Sequence, residues 1–277
     1  MSTYILKMKS TYYGKIEEYY DADAAGFEER YWQNPALQRM RQDFREEVKR
    51  FSFTSMLEIG YGTGLDLVHF AVTHPSVQVA GIDISGKMHR LASAKVENMH
   101  LDNAVAAKGK IEELEDIFPG RQFDMIYVFF GALNTVEDLE QAARILHRAA
   151  TPGGVLVLSF VNRHYLAGMF IELLKLRFRA AFSRLRSSWG GYSPSRNLPS
   201  RCYSTSQIRK AFSDFIPVRR KGYSIVSPAW YYHRLNRLLR RFDRILWKTD
   251  MALQKTTLWK SGEYTLFVFR KPDNGDK

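Results

Sequence analysis

The stretch SMLEIGYGTGLDL, residues 55–67, limits what this chain can fold into more than any other part of the sequence. Met56, Leu57 and Ile59 predict a short buried strand, and LDLVHFAVTH after the glycines predicts a helix. A strand, a glycine turn and a helix form the βα unit that brings backbone N–H groups against a ligand. The spacing differs from the G-x-G-x-x-G of dinucleotide-binding proteins, because Leu65 occupies the position of the last glycine.

An acidic residue precedes the first glycine by two positions, so the motif reads E-x-G-x-G-x-G from Glu58 to Gly64. Three later segments follow in order: VQVAGID, which ends in Asp83, and the strand-like stretches QFDMIYVFF and TPGGVLVLSFV. Together these features resemble the class I S-adenosylmethionine (SAM)-dependent methyltransferases, in particular the type 11/25-like small-molecule enzymes. The resemblance implies an α/β fold with a Rossmann-like seven-stranded sheet and helices on both faces. It also implies SAM as cofactor and S-adenosyl-L-homocysteine as product.

The resemblance assigns cofactor contacts to particular residues. The glycine turn would let the backbone approach the amino-acid end of SAM, Glu58 would hold its ammonium group, and Asp83 would accept both ribose hydroxyls. The remaining positions carried over are the turn glycines Gly60, Gly62 and Gly64, the adenine neighbours Ile84, Met88, Ile111 and Glu112, and Phe129 and Phe130 beneath the sulfonium. The two phenylalanines fit core packing equally well. Lys110 stands where the family often has an acid, so either Glu112 or backbone alone would hold the adenine amino group.

The pattern along the chain predicts a helical cap segment, residues 1–50, followed by a SAM-binding domain, residues 51–277. Strands are expected near residues 55, 77, 103, 123 and 154, and at 215–226 and 263–270. Two insertions, at about 162–200 and 227–260, follow strands expected to be parallel. Each therefore starts at the carboxyl edge of the sheet, where open α/β sheets bind ligands. We predict helical caps over a substrate pocket; packing elsewhere on the core is the alternative.

The second insertion contains SPAWYYHRLNRLLRRFDRILWK, residues 227–248, which carries five arginines and one lysine. Its apolar residues at helical spacing are Tyr231, Leu235, Leu238, Leu239, Phe242, Ile245 and Leu246. This spacing predicts one amphipathic helix. We expect its apolar stripe to face the pocket and to pack on the N-terminal aromatic segment. Its arginines would then face solvent or an anionic surface.

The charge of the chain is concentrated in one region. Residues 163–260 hold 21 Lys and Arg against 4 Asp and Glu, whereas the formal net charge of the whole chain is only +12. A patch of one sign attracts anionic partners, although it can also be a merely solvated face.

Two functions fit these observations. The first is methylation, on oxygen or nitrogen, of a small, lipophilic molecule drawn from a carrier or from an anionic membrane surface. The second is modification or binding of RNA through residues 163–260. The first is favoured because the basic residues share helices with apolar stripes and no accessory RNA-binding module is visible. A protein that binds SAM without catalysis is a third option, which the intact glycine motif disfavours.

A general base is needed only if the acceptor is protonated. The candidates are His164 after the fifth strand, His233 in the second insertion, and Tyr19 and Tyr20 in the N-terminal segment. Asn134, in FFGALNTVEDL, could orient an acceptor oxygen.

Other chemistries find little support in the sequence. No metal site is expected, because the seven histidines are scattered without ligand spacing. Cys202 is the only cysteine and follows an arginine, which disfavours a cysteine-adduct mechanism. A single cysteine, no signal-like start and only short apolar runs predict a soluble, cytoplasmic protein.

Overall fold

The seven predicted strands form one sheet in the computed structural model, which describes residues 11–193 and 195–273. The strands are β1 Ser55–Ile59, β2 Gln78–Asp83, β3 Ala104–Lys108, β4 Phe123–Val128, β5 Ala150–Val161, β6 Ile216–Tyr223 and β7 Tyr264–Arg270. Their order is β3-β2-β1-β4-β5-β7-β6, and only β7 runs antiparallel to its neighbours. The predicted fold class is confirmed.

Helices surround this sheet. They are α1 Tyr12–Asp23, α2 Phe27–Trp32, α3 Pro35–Val48, α4 Leu65–Thr73, α5 Gly86–Asn98, α6 Leu114–Ile117, α7 Leu139–Ala149, α8 Leu166–Leu174, α9 Phe178–Ala181, α10 Thr205–Ala211, α11 His233–Leu238 and α12 Asp243–Leu253. Short 3₁₀ turns occur at Ala24–Gly26, Ile111–Glu113, Ala132–Thr135, Ser183–Leu185, Arg240–Phe242 and Thr257–Ser261. None of the described helices has the length and apolar composition needed to cross a membrane.

Alternate strand residues supply two separate cores, one on each face of the sheet. On one face, Leu57 and Ile126 share a core with Leu146 of α7. On the other, Met56 shares a core with Phe44 of α3 and with residues of α4. Burial on both faces explains why the central strands are apolar without a polar alternation.

The strand order places a ligand site. From β1 the chain builds outward to β2 and β3, and it then returns to the other side of β1 to form β4. At such a reversal of strand order, an open α/β sheet has a crevice outside the carboxyl ends of its strands. The turns that follow β1, β2 and β4 therefore meet at one edge.

The second insertion differs from its prediction. Residues 227–248 do not form one helix: α11 begins at His233, a 3₁₀ turn covers Arg240–Phe242, and α12 follows. Because a 3₁₀ turn has three residues per turn, it shifts the helical phase and divides the predicted stripe. Leu238 is 74% exposed and Ile245 is 61% exposed, so much of that stripe faces outward instead of toward a pocket.

The second insertion packs on a different part of the N-terminal segment from the one predicted. Arg39 of α3 lies over the Trp247 ring at 5.5 Å and pairs with Asp243 at 2.5 Å. Asn34 donates to the carbonyl of Trp230 at 3.1 Å. The contact therefore runs mainly through the start of α3.

Candidate functional site

The glycine turn after β1 uses its three glycines in different ways. Gly60, Gly62 and Gly64 all have positive φ angles, of 75°, 59° and 80°, which glycine adopts without strain. A Cβ on Gly60 would lie 2.5 Å from the Ala132 Cβ, and one on Gly64 would lie 2.9 Å from the Ala92 Cβ. Gly60 thus allows close approach of the segment after β4, and Gly64 allows close packing of α5.

Asp83, at the end of β2, organises this turn. One carboxylate oxygen accepts from the Gly62 N–H at 2.7 Å, and the other accepts from the Ser85 N–H at 2.9 Å. Burial raises the pKa of Asp83 to about 6, although these two bonds oppose the rise. The side chain lines a cavity, and each carboxylate oxygen keeps an acceptor position beyond these two bonds.

This first cavity encloses about 830 Å³, a space that includes part of the open solvent at its mouth. Of the predicted cofactor residues, it brings together Gly60, Gly62, Asp83, Ile84, Met88, Ile111, Phe129 and Phe130. Its other walls come from Tyr13, Ile16, Tyr20, Phe27, Ile59, Ile82, Gly109, Lys110, Ala132, Thr135 and Val136. Most of the positions carried over from the resemblance therefore lie together.

Three predicted cofactor residues lie outside the cavity lining. Gly64 begins α4 and serves helix packing. Glu58 is buried behind the turn, accepts from the Tyr127 hydroxyl at 3.1 Å, and has a pKa raised by burial and by Asp66. Glu112 accepts a hydrogen bond from Tyr13, and its second oxygen is buried without a partner. The contacts of Glu58 and Glu112 with the cofactor stay predictions.

The N-terminal segment supplies cofactor-cavity walls that the sequence did not reveal. Tyr13, Ile16 and Tyr20 of α1 and Phe27 of α2 line the cavity. The density of aromatic residues in this segment indicates a cap. Its contact with a loop about 100 residues later could not be predicted, because such a contact leaves no pattern in the local sequence.

A second cavity, of about 1620 Å³, adjoins the first. Tyr20, Phe27, Phe130 and Thr135 line both, so the cavities meet at these four side chains. The second cavity is rich in rings: Tyr19, Tyr31, Trp189, Tyr192, Trp230, Tyr231 and Tyr264 also line it. Both insertions contribute to this wall, and their role as caps over a substrate pocket stays a prediction.

A buried ion pair holds that aromatic wall. Arg184 of the first insertion pairs with Glu263, which precedes β7, at 2.8 Å, and both side chains are almost fully buried. Tyr192 donates to Glu263 at 2.5 Å and Tyr231 donates to it at 3.3 Å. Tyr192 also lies 3.0 Å from the Tyr264 hydroxyl. These bonds connect both insertions to the sheet and fix three cavity-facing rings.

Charged groups lie at the other side of the second cavity. Asp23 accepts from Arg30 at 2.5 Å and from Arg196 at 2.6 Å, so two guanidinium groups share one carboxylate. Arg41 pairs with the buried Asp66 and lies 4.7 Å from the centroids of the Tyr31 and Phe130 rings. The lining therefore combines a large apolar surface with a local excess of positive charge.

The proposed catalytic residues have different positions. Tyr20 lies at the junction, and burial raises its pKa. Tyr19 and His233 line only the second cavity, with His233 exposed at its rim. His164 is exposed and lines neither cavity, so it has no access to an acceptor there.

Asn134 lines the second cavity, but its amide is largely occupied. Its nitrogen donates to the carbonyls of Val161 and Arg201, at 3.1 and 2.6 Å, and its oxygen accepts from the Val161 N–H at 2.8 Å. Both donors are used to hold Val161 and Arg201, which leaves one acceptor position on the amide oxygen, so the suggested role of Asn134 in orienting an acceptor stays a prediction.

Comparison with known proteins agrees with this geometry. Residues 56–154 match a family model described as a methyltransferase domain. A ubiquinone/menaquinone biosynthesis C-methyltransferase from Geotalea daltonii is 29% identical over 161 residues, covering 56% of this chain and 66% of that protein. A ribosomal RNA small subunit methyltransferase G from Chlorobium phaeobacteroides is 28% identical over 106 residues, covering 38% and 44%.

Solved structures share the fold at low sequence identity. Phosphoethanolamine N-methyltransferase 2 of Haemonchus contortus, in complex with S-adenosyl-L-methionine, has a TM-score of 0.63 at 16% identity, covering 95% of this chain and 60% of that one. Residues 56–154 thus match a methyltransferase domain, and the whole chain has the fold of the class I SAM-dependent methyltransferases, whose cofactor is S-adenosyl-L-methionine. The chain spans less than two thirds of the length of each of the two relatives named above by sequence.

The residues present fit this cofactor. Gly60 and Gly62 line the first cavity without a Cβ, and the buried Asp83 carboxylate in the same lining is an acceptor suited to ribose hydroxyls. The partnerless oxygen of Glu112 is a free acceptor beside Ile111, which lines the cavity. Among the described residues, no group of three or more His, Cys, Asp or Glu could hold a metal ion.

Proposed function

We propose that this protein transfers the methyl group of SAM to a small, lipophilic acceptor bound in the second cavity. The observation that carries the proposal is the junction of two adjoining cavities at Tyr20, Phe27, Phe130 and Thr135. The first has the lining expected for SAM, and the second is larger and mainly aromatic. A molecule in the second cavity can therefore reach a reactive atom in the first.

Bound SAM supplies an electrophilic methyl carbon on a sulfonium, so the protein has mainly to align the partners and exclude water. Proximity and orientation of this kind can contribute about 7–11 kcal/mol. Asp83 and the glycine turn would hold the nucleoside and amino-acid ends, and Phe129 and Phe130 would lie beneath the sulfonium. Tyr20 is the candidate best placed to orient the acceptor, because it lines both cavities.

The lining of the second cavity supports a lipophilic acceptor. Aromatic walls bind apolar and planar groups, and the guanidinium groups of Arg30 and Arg196 would accommodate an anionic substituent. The relative named for ubiquinone and menaquinone biosynthesis supports the same class of substrate. The proposal includes a cytoplasmic location, in keeping with a single, buried cysteine.

RNA is the second candidate, because a relative is named as a ribosomal RNA methyltransferase and residues 163–260 are basic. The cavity disfavours RNA as the methyl acceptor: two of the rings that line it, Tyr192 and Tyr231, are held by buried bonds to Glu263, which limits their use for stacking on a passing strand. We therefore regard RNA as an outcome to be tested.

Calorimetry tests the cofactor part of the proposal. We expect SAM and its demethylated product to bind at micromolar affinity or tighter. Gly62→Arg should abolish binding, since Gly62 lines the cavity. Asp83→Ala should weaken it about tenfold or more, because the ribose loses its acceptor. Asp102→Ala, an exposed control, should bind normally. Normal binding by both site variants would contradict the assignment.

Methyl-labelled SAM tests the acceptor. When the protein is incubated with methyl-labelled SAM and a cell extract that contains EDTA, the label should be recovered in the organic phase, since we expect no metal requirement. Label recovered only in RNA would make RNA the substrate. Complete loss with EDTA that magnesium restores would contradict the metal-free expectation.

A further inference from the structure

The insertion after β5 exposes a run of large apolar side chains that nothing in the described part of the chain covers. Six of them are between 44% and 76% exposed: Leu166, Phe170, Leu174, Leu176, Phe178 and Phe182. The first three are four residues apart in α8 and so lie along one face of that helix. Proteins that stay monomeric in water rarely keep contiguous apolar patches without a use.

The backbone at the tip of this helical pair is unusual. The connection between α8 and α9 contains Leu176 at φ 58°, in the left-handed region where helices commonly end on glycine. A residue with a Cβ is strained in this conformation, because the Cβ comes too close to the following carbonyl oxygen. The Leu176 side chain is 76% exposed, so packing within the chain does not offset that strain.

Basic residues alternate with the apolar ones. All seven residues of LKLRFRA, 174–180, are exposed, and three of them are Lys175, Arg177 and Arg179. Glu172 is the only acid in residues 163–200; it pairs with Lys175 at 3.0 Å and approaches Arg177 at 3.9 Å. The tip therefore has a net positive charge around an apolar centre.

These features fit the surface of an anionic lipid bilayer. Leucine and phenylalanine side chains can enter the acyl boundary while lysine and arginine extend to the headgroups. A self-paired dimer through this face would bring like charges together, which disfavours a second copy as its occupant. RNA would be held by the charges and could stack on the exposed phenylalanines, but Leu166, Leu174 and Leu176 would gain nothing from that contact, so the bilayer is favoured and RNA is an outcome of the test.

We propose that residues 166–182, the docking face, bind the surface of anionic membranes. The face adjoins the second cavity: the Lys175 ammonium lies 4.5 Å from the Tyr232 ring, and Tyr231 and His233 on either side line that cavity. A lipophilic acceptor could then pass from the bilayer into the cavity without crossing water. This consequence rests on the proposed function, whereas the docking itself does not.

Vesicle co-sedimentation with the full chain tests the proposal. We expect binding to phosphatidylcholine vesicles that contain phosphatidylglycerol, weaker binding without it, and weakening as salt is added. Leu174→Ser with Phe178→Ser should reduce binding at least about tenfold. Arg177→Glu with Arg179→Glu should reduce it similarly on anionic vesicles. The matched control is Met99→Ser with Val105→Ser, which removes two exposed apolar residues at the β3 edge of the sheet.

A fluorescent label locates the contact. Cys202 is only 2% exposed, so Phe178→Cys can be labelled selectively with a polarity-sensitive dye. We expect a blue shift on anionic vesicles and quenching by brominated acyl chains, and neither for Met99→Cys. Equal responses of both labels would overturn the assignment of the docking face.

Three results would overturn the proposal. SAM calorimetry on the same variants tests the proposed function separately, so that a failure of membrane docking can be told from a failure of the methyltransferase assignment. The first is absence of vesicle binding by a chain that binds SAM. The second is a dimer that Leu174→Ser with Phe178→Ser dissociates, which would make the face a self-interface. The third is RNA binding lost in Arg177→Glu with Arg179→Glu while vesicles never bind.

Discussion

The Asp83 side chain is buried, and burial disfavours the charged form of its carboxyl group. It is held there by the N–H groups of Gly62 and Ser85, and its raised pKa of about 6 is well above that of an exposed aspartate. The ligand-free fold therefore loses stability as the pH rises from the ordinary pKa of an aspartate to about 6, because Asp83 must give up its proton in a buried position. A ligand that donates two hydroxyls compensates for this cost.

The raised pKa predicts a pH dependence for nucleoside binding. Above pH 6 Asp83 is a carboxylate that accepts both ribose hydroxyls; below pH 6 it becomes neutral and accepts less well. We expect the affinity for adenosine, which has the ribose but no amino-acid charge, to fall by up to about tenfold per pH unit below 6. Calorimetry from pH 5 to pH 8 measures it. Asp83→Asn should bind weakly without this slope, and a wild-type affinity independent of pH would contradict the role.

Among the elements, the two insertions depend on one buried ion pair. Arg184 lies in the first insertion, Tyr231 in the second, and Glu263 immediately before β7. A buried pair need not stabilise a fold more than apolar residues would, but removal of one partner leaves an uncompensated charge. The shape of the second cavity should therefore depend on both partners.

Arg184→Met should destabilise the protein by about 3–5 kcal/mol, because the Glu263 carboxylate stays buried without its cation. Urea unfolding measures this loss. Arg184→Met with Glu263→Gln should recover part of it, since the buried charge is removed. Lys210→Met, which breaks the exposed pair with Glu140, should change stability by less than about 1 kcal/mol. A loss as small as this control for Arg184→Met would refute the argument.

The sequence predicted the sheet better than the insertions. Each central strand is an apolar run that is buried along most of its length, so it carries a signal of its own in the local sequence. The second insertion was predicted as one helix because spacing alone cannot detect the turn at Arg240–Phe242. The two ends of the insertion are tied to distant partners: Asp250 accepts from the backbone of Ile225 and Val226, and Tyr165 accepts from the Ala229 N–H.

The candidate site shows the same division. Gly60, Gly62 and Asp83 could be placed from the motif because a βα turn fixes them locally. His164 could not be excluded from sequence, since only the path of the chain after β5 leaves it exposed and outside the lining of both cavities. Contacts between segments far apart in the chain carry no local pattern.

At the scale of the whole molecule, the N-terminal segment closes the cofactor cavity from outside the sheet. Asp21 of α1 accepts from the Ser85 hydroxyl at 2.6 Å and from the Lys87 N–H at 2.9 Å, at the start of α5. Glu17 pairs with Lys108 at 2.6 Å. These contacts join α1 to the ends of β2 and β3, so ordering of the segment and of the cavity should be coupled.

Asp21→Ala should therefore weaken SAM binding without unfolding the protein. A carboxylate at a helix N-terminus contributes about 0.3–1 kcal/mol, and loss of its hydrogen bond from Ser85 adds about 1 kcal/mol, so we expect an affinity about tenfold lower. Hydrogen exchange in residues 12–32 should slow on SAM binding in the wild type and slow less in the variant. Glu18→Ala, an exposed change in the same helix, should behave as wild type. Unchanged affinity and exchange in Asp21→Ala would show that the segment is a fixed wall, uncoupled from the cofactor.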